Sequence, residues 1–224
     1  IDIRKQIQYK GLMQNNRNKV ELIGYYGSDE IIACSAWTST SRNLTEDKKS
    51  RIGKLINMLY SEGHHTPFEK AQLHFLVDTD IASHIHLLKH RISSMNAESA
   101  RYKELKEDKY LIPDDWSSDW AKSLEEYTQQ GNDLYHKCLE DLTPTLGRKR
   151  AKESARFFKT YNSQIQADIM FNWRSFCNFQ KLRNSEHAQK EIREIAQMMY
   201  EAVKNIEGDP FKYTIEAFEK DNNV

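Results

Sequence analysis

The chain has 224 residues, and its 33 Lys and Arg balance 33 Asp and Glu, so its formal net charge is zero. A neutral chain lacks a global field that would attract nucleic acid or an anionic membrane, so any anion must be bound by a local cluster of cations. The three cysteines include no C-x-x-C pair, which indicates a reducing setting. Because no apolar run approaches the roughly 20 residues needed to cross a bilayer, we expect a soluble, cytoplasmic protein.

Few breaks interrupt the chain, which contains only eight Gly and four Pro and no evident repeat. We therefore expect a single domain over residues 1–224, long enough to bury its own core. The first predicted element is a strand over 19–26, KVELIGYY, because this stretch is rich in β-branched and aromatic residues. From Thr45 to Gly63 the apolar residues repeat at helical spacing and predict a helix.

Strand alternation returns in QLHFLVD, residues 72–78, where alternate positions are apolar. The following Asp78, Thr79 and Asp80 offer turn and N-cap chemistry for a helix that runs to about His90.

Helical patterns dominate the rest of the chain. One covers about 117–139, a second begins at Thr143 with Pro144 at its first position, and a third follows Ser185. Helices with a few mostly antiparallel strands place the protein in the α+β class.

His86 and His90 are four residues apart on the predicted helix, a spacing that can ligate zinc. A zinc protease would carry Glu after the first histidine, and Leu87 stands there instead. No third ligand lies at a telling spacing. A zinc hydrolase stays open as an alternative to histidines that face solvent or phosphate.

The stretch GRKRAKESAR, residues 147–156, packs five cations into ten residues. It is typical of a solvated helix face, and it could also contact a nucleic acid backbone. Glu153 and Arg156 are separated by three residues, so the carboxylate could position this arginine toward a bound anion. A nucleic-acid-binding module therefore stays open as a second alternative.

The stretch GHHTPFEK, residues 63–70, resembles a helix start, with Thr66 as N-cap, Pro67 at the first position and Glu69 at the capping-box position. This interpretation leaves His64 and its neighbour unexplained.

The stretch NWRSFCNFQKLRNSEHAQ, residues 172–189, interleaves amide and guanidinium donors with aromatic residues. Such donors suit the edges of a heterocycle and its phosphates, and they would equally suit a polar outer face.

Taken together, these stretches resemble the flavin-dependent thymidylate synthases, the ThyX family. The family signature R-H-R, seven residues, then S is matched by residues 89–91 and Ser99, followed by Arg101 and Tyr102 in an S-x-R-Y ending. Upstream, H-x-T-P-F-E matches residues 64–69. Downstream, residues 172–175, 178, 182–183 and 187–189 match in the same order.

The resemblance implies a ThyX-like fold with a central, mostly antiparallel sheet flanked by helices and a helical segment. It implies a methyltransferase that converts dUMP to dTMP, with methylenetetrahydrofolate as carbon donor and NADPH-reduced FAD as hydride source. It also implies a homotetramer with shared active sites and no bound nucleic acid or membrane. Cysteine-dependent thymidylate synthases carry a Pro-Cys motif, and no cysteine here follows a proline. The cofactor must then supply the chemistry while the protein binds and orients.

The resemblance also assigns roles to individual residues. Residues expected to contact FAD are Thr66, Glu69, Lys89, His90, Arg91, Asn172, Arg174, Asn178 and His187. Residues expected to bind dUMP are His86, Ser99, Arg101, Arg156 and Arg183. Within the second set, Arg183 would face the base and Arg101 and Arg156 the phosphate. The catalytic set is Ser99, which orients or polarises the uracil, with Arg183 and His64, the last near the flavin and the folate.

Three positions depart from the family pattern: Lys89 replaces the first arginine of the signature, Ala97 stands where many members have Glu or Gln, and His86 stands where some have Gln. Lysine keeps the charge and loses the planar fork, so a bidentate contact is not inherited at position 89. A related pyrimidine nucleotide therefore stays open as the substrate.

Overall fold

The computed structural model describes residues 17–222 and has an α+β architecture, as the sequence predicts. Four strands form one antiparallel sheet in the order β1-β2-β4-β3. The strands are β1 (Lys19–Tyr26), β2 (Gln72–Asp80), β3 (Ser93–Ala97) and β4 (Gln164–Asn172).

Helices make up most of the remaining described chain. The α-helices are α1 (Asp29–Trp37), α2 (Glu46–Ser50), α3 (Ile52–Ser61), α4 (Ile81–Leu88), α5 (Ser118–Ala155), α6 (Trp173–Arg183), α7 (Lys190–Lys204) and α8 (Lys212–Asn222). Two short 3-10 helices cover Thr66–Lys70 and Arg156–Phe158. No helix among residues 17–222 is both long enough and apolar enough to span a bilayer.

The described chain divides into two compact parts. One contains α5 and comprises residues 17–19, 78–86 and 96–167; we call it the α5 part. The other contains α6 and comprises residues 20–77, 87–95 and 168–222; we call it the α6 part. The single catalytic domain expected over residues 1–224 stays a prediction.

Aromatic side chains fill the core of the α6 part. Phe75 on β2 stacks on Phe176 with ring centroids 5.7 Å apart, and Phe171 stacks on Phe179 at 5.3 Å. These rings are fully buried, because alternate residues of β2 and β4 point to one face and every third or fourth residue of α6 meets them. Burying such rings contributes roughly 1.5 to 3 kcal/mol each. The core thus fixes α6 against the sheet.

The predicted apolar alternation of β2 is confirmed, and so is the buried stripe of α7 at Ile192, Ile195 and Met199. The predicted turn after β2 is wrong in part. Asp78 and Thr79 belong to the strand, and Asp80 alone caps α4 by accepting from the Ser83 backbone N–H at 2.8 Å.

Helix α5 differs from the sequence prediction because two predicted helices are joined. Thr143 does not cap a new helix, since its hydroxyl donates back to the Leu139 carbonyl, and the helix runs through Pro144. The break lies at Gly147, with φ 75° and ψ 150°. A glycine tolerates this left-handed φ, whereas other residues are strained there.

Candidate active site

A cavity of about 470 Å³ lies in the α6 part. Ligand pockets in proteins usually measure roughly 300 to 1,000 Å³, so this volume is suitable for a cofactor or substrate group. Five residues that the family resemblance assigns to FAD line it together: Glu69, Arg91, Asn172, Arg174 and Asn178. They come from the first 3-10 helix, the segment after α4, and the junction of β4 with α6.

Helix α6 supplies one wall of the cavity, and its first turn is fixed by Asn172. This residue ends β4 in an extended conformation, and its side-chain oxygen accepts from the Ser175 backbone N–H at 2.8 Å. Arg174 and Asn178 follow at a spacing of four, so they share one exposed face. The opposite face is buried in the aromatic core, which holds this polar face toward the cavity.

An ion pair joins two walls of the cavity. Arg174 Nη1 donates to Glu69 Oε1 at 2.7 Å, between side chains that are 53% and 33% exposed. The predicted capping box at Glu69 is therefore wrong: the 3-10 helix over Thr66–Lys70 follows His65 and has no side-chain cap. Because a guanidinium has five N–H donors, Arg174 keeps several for a ligand.

Sequence reasoning gave no role to seven of the twelve residues that line the cavity: Tyr60, His65, Phe68, Ile92, Ser175, Cys177 and Lys181. Lys181 lies seven residues after Arg174, so it shares a face of α6 with that residue, but an exposed lysine on a helix does not by itself indicate a site. Tyr60 and Cys177 occupy apolar-patterned positions and were therefore indistinguishable from core residues. His65 Nε2 lies 3.2 Å from the Tyr60 carbonyl oxygen, and its ring packs against Tyr60.

Cys177 is buried beside Tyr60, with which it shares a hydrogen bond. Burial raises the pKa of the Cys177 thiol to about 12. The thiolate is the reactive form of cysteine, so this group is an inert, neutral thiol near pH 7. This agrees with chemistry that does not use a cysteine nucleophile.

His90 and Arg183 form a second polar contact in the α6 part. Arg183 Nε donates to His90 Nε2 at 2.8 Å, and the imidazole, 6% exposed, packs edge-on against Phe179 with centroids 4.9 Å apart. A guanidinium can only donate hydrogen bonds, so His90 Nε2 must be the acceptor and carries no hydrogen in this contact. The structure thus joins a residue expected at FAD to one expected at the uracil base.

The other predicted flavin and folate residues of this part do not line the cavity. They are all exposed: His64, Thr66, Lys89 and His187. His86 is half-buried in the last turn of α4.

Four predicted nucleotide-binding residues lie in the α5 part: His86, Ser99, Arg101 and Arg156. The Ser99 hydroxyl accepts from the Arg101 backbone N–H at 3.3 Å. Among the described residues no imidazole or carboxylate hydrogen-bonds this hydroxyl, so it lacks the neighbouring base that a serine nucleophile requires.

The prediction that Glu153 positions Arg156 is wrong. Glu153 Oε1 accepts from Arg101 Nε at 2.9 Å, and its other oxygen lies 3.5 Å from Arg150 Nη1. Arg156 instead ends α5 and is exposed, with its backbone N–H bonded to the Lys152 and Ser154 carbonyls.

The basic stretch over residues 147–156 is engaged by the protein itself at three of its five cations. Arg148 donates to Glu104, Lys152 donates to the Tyr102 carbonyl, and Arg150 contacts Glu153 as above. Over residues 17–222, no group of three or more His, Cys, Asp or Glu side chains is arranged to hold a metal ion.

The fold and the cavity together are those of an α+β protein with a cationic, aromatic-walled ligand pocket. Residues 21–207 match the family described as "Thymidylate synthase complementing protein". A flavin-dependent thymidylate synthase of Pseudothermotoga lettingae is 31% identical over 202 residues, covering 85% of this chain and 87% of the relative. One from Clostridium tetani is 29% identical over 217 residues, covering 88% and 86%.

Among solved structures, the UMP/dUMP methylase PolB from Streptomyces cacaoi, bound with 5-Br dUMP, superposes with a TM-score of 0.76. It is 26% identical and the match covers 93% of this chain and 97% of that one. This chain belongs to the flavin-dependent thymidylate synthase family. The predicted family, the α+β class and the methyltransferase activity type are thereby confirmed.

Proposed function

We propose that the protein converts dUMP to dTMP, taking the carbon from methylenetetrahydrofolate and the hydride from FAD that NADPH has reduced. The observation that carries this proposal is the cavity of the α6 part. It gathers Glu69, Arg91, Asn172, Arg174 and Asn178, which the family pattern assigns to the flavin, from segments about 100 residues apart in the chain.

The groups lining the cavity fit FAD chemically. Arg91 and Arg174 supply guanidinium donors for a diphosphate, and Asn172 and Asn178 supply amides for the edges of a ring. The aromatic side chains of Tyr60 and Phe68 offer apolar wall for a planar group. When bound, FAD supplies the hydride that completes the methyl group.

The protein's own groups would bind and polarise dUMP. Arg101 and Arg156 carry the fixed positive charge that a phosphate requires, and Ser99 offers a hydroxyl to the pyrimidine. Arg183 would donate from its η nitrogens to a uracil carbonyl, because His90 already occupies Nε. Donors fixed where negative charge develops lower the barrier without reorganising during the reaction.

A homotetramer with shared active sites is part of this proposal. In support, Ile92 lines the cavity while 76% exposed, and Leu182 on α6 is 53% exposed. In the proposed tetramer, another protein chain would cover these exposed apolar side chains.

UMP is a second candidate substrate, because the similar methylase from Streptomyces cacaoi is described as acting on both UMP and dUMP. Lys89, Ala97 and His86 also depart from the family pattern, and His86 is one of the residues expected to bind the nucleotide. UMP and dUMP should therefore be compared in the same assay.

The proposal is tested by the absorption spectrum of the purified oligomer, followed by NADPH oxidation. We expect a yellow protein that takes up FAD and oxidises NADPH faster when dUMP is present. A colourless protein that cannot take up FAD contradicts the proposal. The alternative of a nucleic-acid-binding module instead predicts strongly salt-dependent binding to nucleic acid and no chromophore.

A further inference from the structure

The segment of residues 99–104 is attached to the C-terminal part of α5 by side chains of that helix. Lys152 Nζ donates to the Tyr102 carbonyl oxygen at 2.7 Å, and the Arg148 guanidinium donates to the Glu104 carboxylate. Both contacts lie beyond the break of α5 at Gly147. The segment that carries the predicted phosphate-binding arginine therefore lies against this part of the helix.

A third contact between the segment and the helix holds a functional group. Arg101 Nε donates to Glu153 Oε1 at 2.9 Å, and the Glu153 side chain is 18% exposed against 47% for Arg101. The guanidinium is planar, so fixing its Nε edge also fixes the direction of its two η nitrogens. These nitrogens are the ones that bind a phosphate in a bidentate manner.

The charges around Glu153 favour its carboxylate form. The hydrogen bond from Arg101, and then the nearby Arg150, lower the pKa of Glu153. The carboxylate therefore contacts two arginines, of which Arg101 makes the shorter contact.

We propose that Glu153 is a positioning residue for nucleotide binding: it holds the Nε edge of Arg101 so that both η nitrogens face the phosphate of the pyrimidine nucleotide. This inference rests on the proposed function, in which Arg101 and Arg156 bind that phosphate. Glu153 itself does not touch the nucleotide. It acts through the orientation of Arg101.

Two physical effects of removing Glu153 oppose each other, which makes the test decisive. Loss of a carboxylate raises the local positive potential and would by itself tighten the binding of a phosphate. Loss of the hydrogen bond frees the Arg101 side chain, and ordering a long side chain again on binding lowers affinity. The inference requires the second effect to exceed the first.

The experiment measures the affinities of flavin-loaded protein for dUMP and for deoxyuridine, which lacks the phosphate. For Glu153→Ala we expect the affinity for dUMP to fall by about threefold to tenfold, a size typical of the coupling between two residues in contact. The affinity for deoxyuridine should stay unchanged. The dUMP affinity of Glu153→Gln should lie between those of wild type and Glu153→Ala, because an amide oxygen still accepts the hydrogen bond from Arg101 Nε. Flavin affinity should not change.

Glu104→Ala is the matched control. Glu104 also accepts a hydrogen bond from an arginine, Arg148, and its side chain is likewise 18% exposed. The Glu104→Ala substitution should leave the dUMP affinity within about twofold of wild type, because exposed ion pairs usually contribute little. In the Arg101→Ala background, Glu153→Ala should no longer weaken dUMP binding, because only the favourable electrostatic effect of removing the carboxylate is left.

Several results would overturn the inference. They are tighter dUMP binding by Glu153→Ala, an equal loss for the Glu104 and Glu153 variants, an equal loss for deoxyuridine, or an undiminished effect in the Arg101→Ala background. If wild-type protein fails to bind dUMP, the proposed function fails first, and that result is obtained before any variant is compared.

Discussion

We predict that Lys181→Ala weakens FAD binding and that Lys204→Ala does not. The two lysines have almost the same surroundings within the α6 part: each pairs with a carboxylate of α8 and lies over a tyrosine ring. The contacts are Lys181 with Asp221 at 3.0 Å and Tyr60 at 5.4 Å, and Lys204 with Glu219 at 3.1 Å and Tyr200 at 5.4 Å. The difference is that Lys181 lines the cavity.

The expected magnitude follows from the charge and exposure of these lysines. Their side chains are 37% and 40% exposed, so either substitution should lower the free energy of unfolding by only about 0.2 to 1 kcal/mol. A cation about 4 Å from a phosphate is worth roughly 1 kcal/mol in water and up to about 4 kcal/mol near a protein surface. Asp221 offsets part of this, so we expect about 1 kcal/mol, or roughly a fivefold loss of FAD affinity.

The assay is a titration of flavin-free protein with FAD, followed by the quenching of flavin fluorescence, with urea unfolding as the check on stability. Lys181→Ala should bind FAD about fivefold more weakly than Lys204→Ala, while the two unfold at similar urea concentrations. Equal FAD affinities for the two variants would refute the assignment of Lys181 to the flavin cavity.

Three further predictions concern catalysis, pH and packing. In steady-state kinetics, Ser99→Ala should lower kcat more than it lowers dUMP affinity, and Arg156→Ala should mainly raise the KM for dUMP. Equal changes in both parameters for both variants would reject these roles. Burial raises the pKa of Asp29 to about 6, from 3.8, despite its hydrogen bonds with Thr214 and Tyr213. Between about pH 4 and 6 the Asp29 carboxyl therefore keeps its proton in the folded protein and loses it in the unfolded chain. As a result, the free energy of unfolding of wild type, relative to that of Asp29→Asn, should fall by roughly 2 kcal/mol as pH rises from about 4 to 6. Denaturation at several pH values checks this, and a pH-independent difference would contradict it. Gly131→Ala should destabilise by about 1 to 2 kcal/mol, although alanine favours helix, because its Cβ would lie 2.6 Å from the Phe158 carbonyl oxygen. Gly24→Ala, with no atom within 4 Å of the added Cβ, is the control in urea unfolding.

Periodicity predicted the elements whose apolar pattern is unbroken. Strand β2 and helix α7 follow it closely, because each buries one face against the core. Strand β1 was predicted from its β-branched and aromatic residues instead, and its alternate residues are half-buried. The pattern failed at Pro144, which was predicted to open a new helix and lies inside a longer one, and at Gly147, where the helix breaks although no break was predicted. Here the helix continues to the glycine and resumes after it, so tertiary packing overrides local preference.

The candidate site was predictable where it depends on residue types in a fixed order. The spaced blocks placed Glu69, Arg91 and Arg174 at a flavin site, and the structure gathers them around one cavity. Pairings between distant segments were not predictable. Glu153 has an arginine three residues away on each side, Arg150 and Arg156, yet its shortest contact is with Arg101, 52 residues away, which only the path of the folded chain brings to it.

The same limit applies to Glu69. Its spacing from Thr66 satisfies a capping box, and the ion pair with Arg174, which lies 105 residues further along, takes its place. Lys181 and Tyr60 were missed for a related reason. A lysine on an exposed helix face and a tyrosine in a helical core pattern have ordinary structural explanations until the cavity between them is seen.

The conversion of dUMP to dTMP is tested most directly by product analysis. The purified protein is incubated with FAD, NADPH, methylenetetrahydrofolate and dUMP, and in parallel with UMP, and the nucleotides are separated and identified by mass. We expect a product that is heavier than dUMP by one methylene unit and that forms only when FAD, NADPH and the folate are all present. NADPH oxidation without any methylated pyrimidine nucleotide, in protein that has bound FAD, would contradict the proposed function.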